Sequence, residues 1–327
     1  MLRARLAPLI AVTFAVAGCG SKQNALDAHS RAAKGIESLW WNMFIGCSLA
    51  FAVVAIILLA SWFRRRRAGV PHVRDGDKAA FGVVIALGIV VPILTITALF
   101  FFANIFLIRD TTVPSANAAP SERPRLVIRV IAHQYWWEAR YPGTNAVTAN
   151  EIHIPVRTPV LLRLHTGDVI HSFWVPQLNK KQDTLPEQTT ELLLYADAPG
   201  RYRGQCAEFC GLQHAHMGMY VFAQPRSQFR AWLAHEAKPA PANALFVSKC
   251  GSCHEIRGSA ARSDVGPDLT HVGSRTSLAA ATIPNTSARM REWIRDPQAL
   301  KPGNAMAAVP LTNEQLSQLV DYLEARK

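Results

Sequence analysis

The sequence predicts a multidomain membrane protein: a two-helix transmembrane hairpin, then an all-β domain, then a small all-α domain. Three observations carry that prediction. Two long uncharged runs lie in the first third of the 327 residues. Short segments of period two follow, punctuated by Pro and Gly. The last segment turns to the helical period. Composition agrees, because a chain that is 50% hydrophobic and 18% charged is not generally disordered. Six cysteines are too few for a disulfide framework. The formal charge is +12, and residues 1–109 hold two-thirds of that excess, beside the apolar runs. Charge so placed orients a membrane protein and forms no basic face for phosphate, which argues against nucleic acid as a partner.

The N-terminus opens with Arg3 and Arg5 and continues uncharged over residues 6–17, the pattern of an export signal. It ends in Val16-Ala17-Gly18-Cys19, which resembles a bacterial lipobox. That resemblance implies a signal peptide over 1–18, lipid on the Cys19 thiol, and an external tether over 19–38. Residues 44–63 are uncharged and flanked by Trp40, Trp41 and Trp62, so 39–63 reads as a first membrane helix. Arg64 to Arg67 follow at once and mark 64–78 as a cytoplasmic loop. The second run, 79–108, contains Pro92. At ~1.5 Å per residue it outruns a ~30 Å hydrocarbon core, so it must tilt, kink or project. Everything after Arg109 is then expected outside the cytoplasmic membrane of a bacterium, on its periplasmic or extracellular side.

Residues 109–122 read as a linker. In 123–236, Leu126, Ile128 and Val130 alternate with Val127, Arg129 and Ile131. Further strands are expected at 152–156, 160–165, 190–195 and 217–223, with a helical coda at 229–235. Such spacing predicts a β-sandwich or barrel. Residues 237–243 are Pro/Ala-rich and read as a semi-extended linker. In 244–327 a helix is expected at 288–294. Another follows Thr312 and Gln315, which have capping-box spacing, with Leu316, Leu319, Val320 and Leu323 on one face. A domain this small often needs a cofactor to complete its core.

Two constellations carry chemistry. Cys206-Ala-Glu208-Phe-Cys210-Gly-Leu-Gln-His214-Ala-His216-Met217 ends with one thiolate, one imidazole and one thioether, the order of a blue-copper loop. His171 is placed to add a second imidazole. Cys206 is one thiolate too many for a single trigonal copper, whereas two thiolates can bridge two coppers. Structural zinc, a disulfide and a redox copper-carrier site also fit these residues. The second constellation, Cys250-Gly-Ser-Cys253-His254, is the attachment motif for c-type heme, with a thiol–disulfide motif as the alternative. Met306, in a loop, can close over the iron without unwinding a helix, and is preferred to Met290 as sixth ligand. Cys47 reads as an ordinary apolar helix residue.

The copper loop, the His171 segment and the helical hairpin resemble subunit II of cytochrome c oxidase, over roughly residues 39–235. The last segment resembles a class I cytochrome c, with Gly266-Pro267-Asp268-Leu269 where that family supports the proximal His. The first resemblance implies a cupredoxin fold with a dinuclear copper A centre. Cys206 and Cys210 match its bridging thiolates, His171 and His214 its terminal imidazoles, and Met217 a weak axial ligand. Glu208 matches the residue whose carbonyl ligates the other copper and whose carboxylate reaches a magnesium at the subunit I interface. His216 has no role in that pattern and reads as a surface residue.

Together the resemblances point to caa3-type oxidases. They imply a relay from a soluble or membrane-bound cytochrome c-type donor to the heme, the copper pair and subunit I, in a complex that includes subunit III. There oxygen becomes water and protons are translocated. A nitric oxide reductase subunit and a membrane-tethered copper carrier are the alternatives. Two departures stand out. Tyr135, in His133-Gln134-Tyr135-Trp136-Trp137, occupies the position of an electron-accepting tryptophan, and the second span lacks the Glu that often feeds a proton channel. The Tyr135 departure leads us to expect electrons to enter through the fused heme.

Overall fold

The computed structural model describes residues 23–65, 78–108, 112–113 and 123–327. The expected signal peptide and Cys19 lie outside these residues, as do most of the expected cytoplasmic loop and the 109–122 linker. Residues 34–112 form one compact unit and the remaining described residues another.

Helix α1 runs Arg31–Arg65 and begins ahead of the apolar run that predicted it. Ser30 explains the early start, because its Oγ accepts the Ala33 amide at 3.0 Å, an N-cap bond. The same hydroxyl donates to the Leu178 carbonyl. The His29 amide donates to Gln177 O, and the Asp197 amide to His29 O, both at 2.8 Å. Residues 29 and 30, within the expected tether, are therefore fixed against the β domain.

The second apolar run is helix α2 Lys78–Ile85, a π-helical turn Ala86–Val90, helix α3 Val91–Phe102, and further π-helical turns Ala103–Ile108. Pro92 lacks the N–H that an α-helical ladder needs, and the wider turn comes just before it. Among the described residues, two helices, Arg31–Arg64 and Phe81–Phe102, are long and apolar enough to cross a membrane. Phe51, Leu49 and Ile96 are among many large apolar side chains they expose. Helices so clothed find their solvent in lipid.

The β domain is two five-stranded sheets. One holds β1 Leu126–His133, β2 Trp136–Arg140, β3 Val147–Ala149, β5 Val160–Thr166 and β8 Thr190–Leu194, ordered β3-β2-β1-β5-β8. The other holds β4 Glu151–Pro155, β6 His171–Trp174, β7 Gln182–Thr184, β9 Gly200–Cys206 and β10 Gly218–Gln224, ordered β4-β10-β9-β6-β7. Each sheet contains one parallel pair, β1 with β5 and β10 with β4. The result is a cupredoxin-like sandwich. The alternation read in β1 is the alternation observed: Ile128 and Val130 are fully buried, and Arg129 between them is exposed. They pack with Trp137, Leu162, Leu164, Phe173 and Val221. Helix α4 Arg226–Glu236 closes this domain, with Trp232 stacked on His153 at 3.9 Å.

The C-terminal domain contains α5 Ala244–Lys249, a short hairpin of β11 Ser277–Leu278 and β12 Ile283–Pro284, α6 Ser287–Arg295, α7 Pro297–Leu300 and α8 Asn313–Glu324. Asn243 caps α5, accepting the Phe246 amide at 2.7 Å. The Thr312–Gln315 capping box starts α8, as its spacing predicted. Leu316, Leu319, Val320 and Leu323 then bury against Phe246, Ile256 and Ile294. Residues 237–243 are no free connector, since the Ala240 amide bonds Arg257 O and Tyr322 Oη bonds Pro241 O, both at 2.9 Å.

Candidate metal centres

The first centre is built at the end of one hairpin. Strands β9 and β10 pair antiparallel, with Gly218 opposite Gln205, so Cys206 and Met217 meet at the neck of the loop between them. The Cys206 amide closes that neck on Met217 O at 3.0 Å. Strand β6 pairs with β9, Phe173 opposite Cys206, which brings His171 beside the same cysteine. Within the loop, Gly211 takes φ +123°, a region open to glycine; a Cβ there would also meet Tyr135 Oη at 2.6 Å.

Six donor groups converge. Cys206 Sγ lies 3.9 Å from Cys210 Sγ, 3.9 Å from His171 Nδ1 and 3.2 Å from the Glu208 carbonyl. Cys210 Sγ lies 3.7 Å from His214 Nδ1 and 3.8 Å from Met217 Sδ. Four further donors thus surround the sulfur pair, two near each sulfur. His171, Cys206, Cys210 and Met217 are buried, His214 is half-buried, and Glu208 turns its side chain outward. The sulfurs are too far apart for a disulfide, whose bond is about 2.05 Å. A tetrahedral zinc site uses four donors and leaves the others idle. Two thiolates flanked by two imidazoles, a thioether and a carbonyl fit a copper pair.

Charge is arranged around the sulfurs. The contact with Cys210 lowers the Cys206 thiol, with further help from His171, while the same contact raises Cys210. The first proton therefore leaves the pair readily. His171 donates from Nε2 to Asp168 Oδ1 at 2.8 Å. Burial opposes the charge on Asp168, but bonds from His171, the Gln134 amide and Thr166 hold its carboxyl down at about 2. Gln134 also donates from Nε2 to Cys210 O at 2.6 Å, tying the turn between β1 and β2 to the loop.

The second centre is a cavity of about 460 Å³. Cys250, Cys253, His254, Met290 and Met306 line it from the C-terminal domain. His254 Nδ1 bonds Pro267 O at 2.8 Å, which leaves Nε2 as the free nitrogen, and burial keeps the imidazole neutral. Gly266 is small for a reason: a Cβ would stand 2.7 Å from His254 Cε1. The opposite wall comes from the β domain, through Tyr135, Trp136, Asn150 and Asp168. Tyr135 is thus buried under the C-terminal domain, at 9% exposure. A cavity lined by two thiols, an imidazole and a thioether fits a covalently attached heme.

Residues 144–223 match the family described as cytochrome c oxidase subunit II, periplasmic domain, and residues 239–327 match cytochrome c. Cytochrome c oxidase subunit 2 of Alkalihalophilus pseudofirmus is 32% identical, over 99% of this chain and 97% of its own length. The chain belongs to the cytochrome c oxidase subunit 2 family. The subunits 2 of Bacillus sp. strain PS3 and Bacillus subtilis strain 168 are 31% and 29% identical, over 73% and 81% of this chain. This subunit 2 carries a C-terminal cytochrome c domain, the caa3-type fusion. Its β domain implies copper A and its last domain implies heme.

Three residues near the centres were missed in the sequence. Asp168 stands three residues before His171, a spacing that could have flagged it. Gln134 and Lys301 give no such signal. Lys301 is 3% exposed, and burial draws its ammonium down to about 8. His216 is exposed, as expected of a surface residue, although its carbonyl accepts from Lys301 at 3.0 Å.

Proposed function

We propose that the chain receives electrons from an external cytochrome c-type donor through its C-terminal domain, passes them to its β domain, and delivers them to subunit I of a terminal oxidase. Subunit III completes the complex. Oxygen is reduced to water in subunit I and protons are translocated there. The β domain and the C-terminal domain lie outside the bacterial cytoplasmic membrane, and Cys19 carries lipid.

The observation that carries this reading is the sulfur pair of Cys206 and Cys210, 3.9 Å apart at the middle of six donors. Cys206 and Cys210 would together hold the two coppers, with His171, His214, Met217 and the Glu208 carbonyl completing their donors. The outward carboxylate of Glu208 is free to reach magnesium at the subunit I interface. In the last domain Cys250 and Cys253 would hold heme covalently, and His254 and Met306 would supply its iron with ligands. When bound, the copper pair and the heme supply one-electron redox chemistry with little change in geometry.

The chain's own residues keep that geometry. Asp168 holds the proton on Nε2 of His171 and so leaves Nδ1 to the metal side. Pro267 O does the same for His254 by taking Nδ1. Burial of His171, Cys206, Cys210 and Met217 keeps water from the sulfur pair, which favours a small reorganisation.

The test is metal analysis and electron paramagnetic resonance of the purified complex. Two coppers per chain and a delocalised mixed-valence signal are expected, and Cys206→Ser should abolish that signal. One stoichiometric zinc in the native chain would end the proposal. Turnover with oxygen, compared with nitric oxide, separates the oxidase from a nitric oxide reductase.

A further inference from the structure

Among the contacts between the β domain and the C-terminal domain is a buried cation, Lys301. Lys301 Nζ donates to Tyr135 O at 3.0 Å, to His216 O at 3.0 Å and to Ala279 O at 3.4 Å. An ammonium has three protons, and here three carbonyls from three separate segments take them. Two acceptors belong to the β domain: one is at Tyr135, and the other is one residue before Met217. The third belongs to the short hairpin of the C-terminal domain.

Lys301 also starts the loop that carries Met306. Asn304 folds that loop, donating from Nδ2 to Lys301 O at 2.6 Å and accepting the Met306 amide on Oδ1 at 2.7 Å. Gln298 adds a bond from Nε2 to Met306 O at 2.9 Å. On the other side, Gln213 Nε2 donates to Pro302 O at 2.7 Å. Gly303, at φ +79°, lies so close that an added Cβ would meet Leu212 Cδ1 at 2.8 Å. One short loop therefore touches the heme cavity and the copper loop at once.

We propose that Lys301 is a positioning residue that pins the Met306 loop onto the 212–217 loop and so fixes the two metal centres in one electron-transfer pose. A buried charge suits this task. It cannot slide along an apolar interface, because leaving its three carbonyls would strand a cation and its acceptors together. The pin rests on the relay proposed above.

The experiment compares the parent with Lys301→Met, as full chains in the assembled complex. Transfer from heme to copper is timed after photoreduction of the heme. Heme potential, the methionine–iron charge-transfer band and the copper resonance are read on the same samples. Amide hydrogen exchange over 212–218 and 277–284 is measured with and without bound metals. Lys301→Met should slow transfer at least tenfold and speed exchange in both segments, with the potential and both spectra unchanged. Gln213→Ala, which cuts one bond from the copper side, should act in the same direction but more weakly; it carries the test if Lys301→Met does not fold. A transfer rate within twofold of the parent would overturn the pin. So would slowing accompanied by a lost charge-transfer band, which would make Lys301 a prop for Met306 alone. Absence of heme-to-copper transfer in the parent would instead overturn the relay.

Discussion

Asp168 accepts the Nε2 proton of His171 at 2.8 Å, and the same ring turns Nδ1 toward Cys206 Sγ at 3.9 Å. The carboxylate therefore fixes both the tautomer and the angle of a metal-facing imidazole. It is itself held by the Gln134 amide at 2.7 Å and by Thr166 Oγ1 at 2.9 Å. Partners of this kind commonly set metal affinity within a factor of ten to a hundred.

Asp168→Ala should thus weaken copper retention about 10- to 100-fold, measured by competition with a chelator. The variant should still load both metals at excess copper, because no donor is lost. Unchanged affinity would mean that packing alone orients His171.

Met290 and Met306 both line the heme cavity, so the axial assignment needs a direct test. Met290 is 2% exposed on α6 and belongs to the core with Ile294 and Leu319. Met306 sits in the loop held by Asn304 and Gln298. Met306→Ala should lower the heme potential and alter the methionine–iron band, while Cys250 and Cys253 keep the heme attached. Met290→Leu conserves volume, should cost under about 1.5 kcal/mol of stability, and should leave both signals in place. The reverse pattern would move the ligand to Met290.

Glu236 gives a pH prediction. It is buried at the end of α4, 3.8 Å from Arg257 Nη2. Burial raises its carboxyl from 4.5 to about 7, although Arg275 and Arg257 pull the other way. Between those values the folded chain keeps a proton that the unfolded chain has released. Stability must then fall as pH rises from about 4.5 to about 7, and level off above. Glu236→Gln should remove this slope and gain about 1–3 kcal/mol at pH 8, read from denaturant midpoints. A variant that keeps the parent's slope would show that the charge is fully offset in the fold.

What could be read in the sequence was chemistry with fixed local spacing. Cys206, Cys210, His214 and Met217 share one loop, and Cys250, Cys253 and His254 share another, so the chain displays each set directly. Thr312 and Gln315 announced α8 for the same reason. Strand β9 stayed hidden because its inward residues are Tyr202, Gly204 and Cys206, and the glycine breaks the apolar alternation. Glycine is nonetheless required there, since a Cβ at 204 would meet Trp174 O at 2.9 Å. The docking of the two domains was hidden as well. A lysine such as Lys301 looks like surface in any sequence, and its three carbonyl partners lie 22 to 166 residues away. The 237–243 segment reads as a linker from its composition, but the Arg257 carbonyl and the Tyr322 hydroxyl bond it in place.

That docking sharpens the expectation about where electrons enter. Tyr135, where the family resemblance leads one to expect an electron-accepting tryptophan, is buried beneath the C-terminal domain, in the wall of the heme cavity. An outside donor then has no access to it while the domain is docked. Transfer between the two domains should vary little with salt, because a fixed interface needs no diffusional encounter, whereas reduction of the heme by a soluble donor should vary strongly. A chain ending before Ala244, assembled with its partner subunits, should retain copper and its activity with small artificial donors. Its turnover with a soluble cytochrome should fall at least tenfold, because removing the heme uncovers Tyr135 without building a docking site for the donor. Restoring tryptophan in that truncated chain, as Tyr135→Trp, should recover part of the loss. If the truncated chain ran at the parent rate across a range of ionic strengths, the fused heme would be an accessory to a copper domain that takes electrons by itself.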